Sequence, residues 1–177
     1  MKKTISLLGL LTLVGCPGAG TVEDPYDPWY VQYWNGHPLA ADPQSPSDTA
    51  KEADLMWHIN QHRLASGQNA LVESRLVSDI ARAHSVHMAI HSFEGPVNPE
   101  GDGPSTRASK VGLAFWRYDE TISAGMASAH DVYDAWLAVP AMHDRLHDPF
   151  VTHGGAGHHY DPTSGFGDYW TVGFRQQ

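Results

Sequence analysis

From Ser74 onward the chain carries two adjacent apolar rows at helical spacing. Leu76, Ile80, Ala83 and Ile90 form one row; Val77, Ala81, His84, Met88 and His91 form the next. A helix with both rows turned inward has a broad buried face, so it has to lie against other layers of the fold. Gly95-Pro96 supplies its stop. Around this helix the other elements can be placed. Ser47-Asp48 caps a helix that runs through Leu55, Met56, Ile59 and Arg63 and ends at Ser66-Gly67. Pro104 opens a short helix reaching Gly112. Ser128, with Asp131 three residues on, starts a helix with the stripe Val132, Ala135, Trp136 and Val139, and Pro140 stops it. Strand patterns lie at residues 113–118, 151–158 and 169–174. Helices first and strands late predict an α+β chain, with helices packed on the faces of a small, largely antiparallel sheet.

The 177 residues allow one ordinary domain, or a smaller domain and a tail, with a core that needs no disulfide staples. The lone cysteine, Cys16, excludes an intramolecular disulfide framework and a cysteine-cage zinc site. A formal net charge of -9 argues against a nucleic-acid partner, which would select a basic footprint. Twelve histidines leave metal binding, acid–base chemistry and pH sensing open. Protonating them between about pH 7 and 5 would cancel most of the net negative charge.

The chain starts with Met1-Lys2-Lys3, an apolar run over residues 5–14, and Leu13-Val14-Gly15-Cys16. A short basic segment followed by a short apolar one is a secretory signal, too brief to span a membrane as a mature helix. The last four residues resemble a bacterial lipobox. The resemblance implies a signal peptide over residues 1–15, a lipid on Cys16, and a membrane-anchored protein of the cell envelope. Pro17 in place of aspartate favours the outer membrane in a Gram-negative cell. Residues 16–47 hold six prolines after the signal, together with Tyr26, Trp29, Tyr30, Tyr33 and Trp34. The expected reading is an extended arm that packs on its own domain, since exposed aromatic clusters are costly; a patch for a glycan or a partner is the sharper alternative. The folded domain is expected over residues 48–177, as a monomer.

Three histidine groups can be weighed for metal chemistry. His84, His87 and His91 fall on one side of a helix, a spacing that can present imidazoles to one zinc or simply pack and solvate. His143-Asp144-Arg145-Leu146-His147 has the outline of the H-E-x-x-H zinc motif, but Asp148-Pro149 ends any helix at the second histidine. His153 and His159 would share one face of a strand and His158 the other, most simply as a solvated edge. No serine sits in a nucleophile elbow, and neither a phosphate loop nor a dinucleotide fingerprint is present.

An ordered series of segments resembles the CAP superfamily (cysteine-rich secretory, antigen 5 and pathogenesis-related proteins, the SCP-like domain) in its bacterial secreted branch. Asn60-Gln61-His62-Arg63 with Gly67 and Leu71 is followed by Ala81-Arg82-Ala83-His84-Ser85-Val86-His87-Met88-Ala89, then by Asn98-Pro99-Glu100-Gly101 and Arg107. Asp119-Glu120-Thr121-Ile122-Ser123-Ala124-Gly125 is similar to the family's G-E-N-I-A-x-G. Trp136, Pro140, His143 and Asp148-Pro149 match its W-M-x-S-P-G-H-R segment in part, and residues 150–157 and Tyr169-Trp170-Thr171 with Phe174 resemble its last two strands. The resemblance covers about residues 52–176 and implies a three-layer α/β/α sandwich.

The family cavity often carries two histidines and one or two acids that can hold a divalent metal. Pro96 stands where the first histidine is expected, so His91 or Glu94 would have to replace it. Glu120 carries over cleanly. His143 sits one place late, and Tyr169 occupies the position of the second histidine. The implied cavity set is therefore Glu120, His143 and Tyr169, and the implied metal set is Glu120, His143 and His91, with zinc as the candidate ion. The resemblance favours a binding or interaction module with a degenerate cavity and a lipid, glycan or protein ligand over an enzyme. Its alternative is a divalent-metal-dependent hydrolase.

Overall fold

The structure is a computed structural model, and it describes residues 46–177. The signal segment, Cys16 and the aromatic arm through Trp34 lie outside the described residues. The elements are α1 (Pro46–Ala65), β1 (Val72–Glu73), α2 (Arg75–His91), α3 (Pro104–Lys110), β2 (Arg117–Ala124), α4 (Ala129–Leu137), α5 (Pro140–Leu146), β3 (His153–Tyr160) and β4 (Asp168–Gln176). The strands form one sheet in the order β1-β3-β4-β2. β4 is antiparallel to both β2 and β3, and the two-residue β1 is parallel to β3. The fold is the α+β, α/β/α sandwich expected from the sequence.

Strand alternation sorts the sheet into two faces. Trp170, Val172 and Phe174 of β4 and Ala156 of β3 join Leu55, Met56 and Ile59 of α1 and Val132 and Trp136 of α4 in the larger apolar cluster. On the opposite face Tyr118 of β2 packs with Val77 and Ile80 of α2 and Ala108 of α3. Ile122 and Tyr169 pack there with Met88 and Ala89.

The floor beneath α2 is made of glycine. A Cβ at Gly155 would lie 2.6 Å from Ser78 Oγ and 2.9 Å from Ser78 Cα, and one at Gly157 would overlap the backbone of Ala81 and Arg82. Gly173, paired with Gly155, has Val77 Cγ1 2.8 Å from its Cβ position. Ser85 locks the helix to this floor, its Oγ within 3.0 Å of both the Gly157 carbonyl and Thr171 Oγ1.

Three element limits differ from the sequence reading. α2 stops at His91, short of Gly95-Pro96. Ser92 adopts φ 50, and the Ser92 and Phe93 N–H groups donate to the carbonyls of Ala89 and Met88, closing the helix there. Ile90, read as part of an apolar row, is therefore exposed at the last turn. β2 runs over Arg117–Ala124 rather than 113–118; its polar Asp119, Glu120, Thr121 and Ser123 hide a strand whose charges find partners across the fold. Pro140 ends α4 and then opens α5 at its first turn. The Ser128 cap forms as expected, with its Oγ accepting from the Asp131 N–H at 3.1 Å.

Candidate functional site

The face of the sheet that carries α2 and α3 collects most of the buried ionisable groups. Glu120 points from β2 toward α3, where Arg107 donates to it through Nη2; both side chains are 0% exposed. The Tyr118 hydroxyl donates to the second carboxylate oxygen at 3.0 Å. Burial pushes the Glu120 carboxyl up, and Arg107 and Tyr118 pull it back. Arg107 also donates to the carbonyls of Pro96 at 2.9 Å and Asp102 at 2.7 Å, which fastens the 92–103 loop to α3. Glu120 is thus a structural counter-ion, held by two buried groups, Arg107 and Tyr118.

The partners assigned to Glu120 lie elsewhere. Asp119, the preceding residue of β2, points the opposite way and accepts from Arg145 of α5 at 2.8 Å. α5 therefore covers the other face of the sheet, and the structure does not bring His143, on α5, to Glu120. His143 is half-exposed, with its ring centroid 4.1 Å from that of His147. His147 in turn donates through Nδ1 to the His143 carbonyl at 2.7 Å and lies 4.5 Å, centroid to centroid, from His62. Asp144, the would-be base of the H-E-x-x-H outline, is turned to solvent. Tyr169 is fully buried among Met88, Ala89 and Ile122 and fills space in the core. Its hydroxyl has no hydrogen-bond partner among the described residues.

The sequence expectation for His158 as an edge residue is corrected. β1 covers β3 only at His153 and Gly154, and it is α1 that closes over His158, which is buried between two carboxylates, with Nδ1 2.6 Å from Asp48 and Nε2 2.8 Å from Asp168. Lys51 pairs with Asp168 at 2.7 Å, and the His158 N–H donates to Glu52 at 2.8 Å. Glu52 also holds Arg82 of α2 in a two-point pair at 2.8 and 3.0 Å. This network fixes the first turns of α1 to the end of the β3–β4 hairpin.

The histidines of α2 divide. His84 is buried, and its Nε2–H donates to the Gly95 carbonyl at 2.9 Å. Burial holds it well below its ordinary pKa, with Arg107 adding to the shift. His87 is also buried, and burial lowers its pKa to about 4 against the pull of Glu100. Its Nε2 lies 3.3 Å from a Glu100 carboxylate oxygen. Exposed His91 lies beside it, ring centroids 4.6 Å apart. Among the described residues, His87, His91 and Glu100 form a group whose ligand atoms all lie within 4.8 Å of one another. The sequence had shown the helical spacing of the two imidazoles but not the carboxylate that joins them.

His84 and His87 stay neutral through the interval in which exposed histidines charge, so the expected charge swing is smaller than twelve. The sign of the stability effect follows. A histidine with a depressed folded pKa favours folding above its unfolded value of about 6.5 and loses that contribution as pH falls toward the folded pKa. We expect the urea midpoint to drop between pH 7 and pH 5, and His84→Gln to flatten that drop. A midpoint that is constant over this interval would contradict a neutral, buried His84.

On the α5 face a cleft of about 160 Å³ is lined by Arg117, Asp119, Asp144, Arg145, Asp148, Val151 and Phe174. This is below the roughly 300–1,000 Å³ of small-molecule pockets. Arg117 pairs with Asp148 and Arg145 with Asp119 inside it. Trp116 and Phe150, chain neighbours of this lining, are 85% and 65% exposed.

Solved structures share this fold. An extracellular protein containing a SCP domain from Bacillus anthracis superposes with a TM-score of 0.68 at 18% identity, over 80% of this chain and 47% of that one. An outer surface protein from Borrelia burgdorferi gives 0.67 at 18% identity, over 76% and 96%. A cysteine-rich secretory protein from Staphylococcus aureus gives 0.59 at 13% identity, over 84% and 49%. The chain thus spans about half the length of the Bacillus and Staphylococcus chains. No curated protein matches it significantly. The cysteine-rich secretory protein (CAP) family model matches residues 57–174, from the middle of α1 into β4, and the chain belongs to that family.

Proposed function

We propose that the chain is an extracytoplasmic, membrane-anchored CAP module that binds a partner and does not hydrolyse a substrate. The observation behind this reading is the buried Glu120–Arg107 pair. A general acid or base must reach the proton it moves, and Glu120 is enclosed and held by Arg107 and Tyr118. The alternative, a divalent-metal-dependent hydrolase built on Glu120 and His143, needs groups that lie on opposite faces of the sheet. Trp116 and Phe150 beside the α5 cleft give an aromatic surface suited to a lipid, glycan or protein ligand. The location draws support from the extracellular and outer-surface descriptions of the Bacillus and Borrelia structures and from Leu13-Val14-Gly15-Cys16. In this reading Cys16 carries the lipid, and the outer membrane is the destination in a Gram-negative cell.

The test is expression of the full chain in a Gram-negative host fed labelled palmitate. The wild type should fractionate with membranes and carry label, and Cys16→Ser should lose both. A wild type that stays soluble and unlabelled would overturn the anchor. The same purified chain, with zinc or magnesium, should leave casein and simple esters uncleaved. Metal-stimulated turnover abolished in a folded Glu120→Gln variant would overturn the binding reading.

A further inference from the structure

We propose that His87, His91 and Glu100 form a three-ligand site for a divalent transition metal, zinc by its ligand chemistry, at the C-terminal end of α2. Of the three, only His91 enters the metal set implied by the family resemblance, as a stand-in for Pro96; His87 and Glu100 are outside that set, and Glu120, His143 and Tyr169 take no part here. The site stands apart from the anchoring and binding reading above.

The donors suit the ion. Two imidazoles and one carboxylate with an open fourth position make a common zinc set. With metal–ligand bonds of about 2.0–2.2 Å, tetrahedral geometry puts neighbouring ligand atoms roughly 3.3–3.5 Å apart. His87 Nε2 and the Glu100 oxygen are already 3.3 Å apart. His91, one helical turn beyond His87, is exposed, and a change in its side-chain torsions closes the remaining distance within the 4.8 Å cluster.

The surroundings hold the donors in place. Phe93 packs edge-on to His87 at 5.7 Å and to His84 at 5.9 Å, brought there by the left-handed turn at Ser92. Glu100 sits in a tight loop in which the Asn98 side chain accepts from the Asp102 N–H at 2.6 Å and the Gly101 N–H donates to the Asn98 carbonyl at 2.9 Å. Arg107 fixes that loop from below through Pro96 and Asp102. One flank is core and the other is solvent, so water or a ligand group from outside can complete the coordination.

The experiment is calorimetric titration of the detergent-solubilised full chain with zinc alone, joined to visible spectra with cobalt as a reporter of tetrahedral geometry. We expect one zinc per chain at this site. His91→Ala and Glu100→Gln should each weaken it by at least about 100-fold, more than the 10–100-fold typical of losing an outer partner. Both residues are exposed, so both variants should fold, with metal-free melting curves that match the wild type. His143→Ala tests the His143–His147 pair and should leave affinity and cobalt spectrum unchanged. Absence of zinc binding, or affinity unchanged in both His91→Ala and Glu100→Gln, would overturn the site. Affinity lost in His143→Ala instead would also overturn it, by assigning the metal to α5.

Discussion

Glu120→Gln is expected to destabilise the domain by about 3–5 kcal/mol, the cost of leaving one partner of a buried ion pair uncompensated. Arg107 is fully enclosed, and the amide cannot neutralise its guanidinium. The two backbone carbonyls it also holds give it no charge in return. Arg107→Met should cost at least as much, because the Pro96 and Asp102 carbonyls lose their donor as well. The double variant Arg107→Met, Glu120→Leu removes both charges and should recover a large part of the loss. Urea unfolding of the wild type and the three variants checks these differences. A Glu120→Gln midpoint within about 0.5 kcal/mol of the wild type would mean that the acid faces open solvent, as a working cavity residue would.

Gly157→Ala is expected to cost about 3 kcal/mol or more, at the upper end of what overpacking does. The added methyl would meet the main chain of Ala81 and Arg82 in the middle of α2, and no side chain is there to swing aside. Relief requires lifting the helix from the sheet. That would strain the Ser85 contacts to Gly157 and Thr171 and the pairing of Arg82 with Glu52. Gly165, in the loop between β3 and β4, has nothing within 4 Å of its Cβ position. Gly165→Ala should stay within about 0.5 kcal/mol of the wild type. Thermal melts of the two variants side by side separate a steric floor from a general sensitivity to losing glycine.

Local periodicity revealed the parts of the fold that bury apolar rows. Val77, Ala81 and Met88 on α2, the Leu55-Met56-Ile59 stripe on α1 and Trp136 on α4 are core residues as read. The strand β2 escaped because four of its eight residues are Asp119, Glu120, Thr121 and Ser123. Glu120 is buried against Arg107 and Tyr118 and Asp119 pairs with Arg145, and a pairing across the fold leaves no period in the sequence. His158 escaped for the same reason: Asp48 stands 110 positions away in the chain. The glycines at 154, 155 and 157 were visible as residues beside histidines, but their steric purpose depends on a helix that passes over them. At the candidate site the spacing of His87 and His91 could be read directly. Glu100 could not be joined to them, because the turn at Ser92 that sends the loop back across α2 rests on a conformation no residue type there announces.

The ion network at the start of α1 also has a mechanical consequence. Asp48 and Lys51 tie the first turns of α1 to His158 and Asp168 at the hairpin end of the sheet, and α2 points its His87–His91 end the same way, since Ser78 lies over Gly155 and Arg82 over Gly157. Any pull on the chain ahead of Pro46 enters the domain through these charged contacts before it reaches the apolar core. A domain suspended by that segment would hang from its hairpin end, with the histidine–glutamate group facing the attachment and the α5 cleft turned away from it.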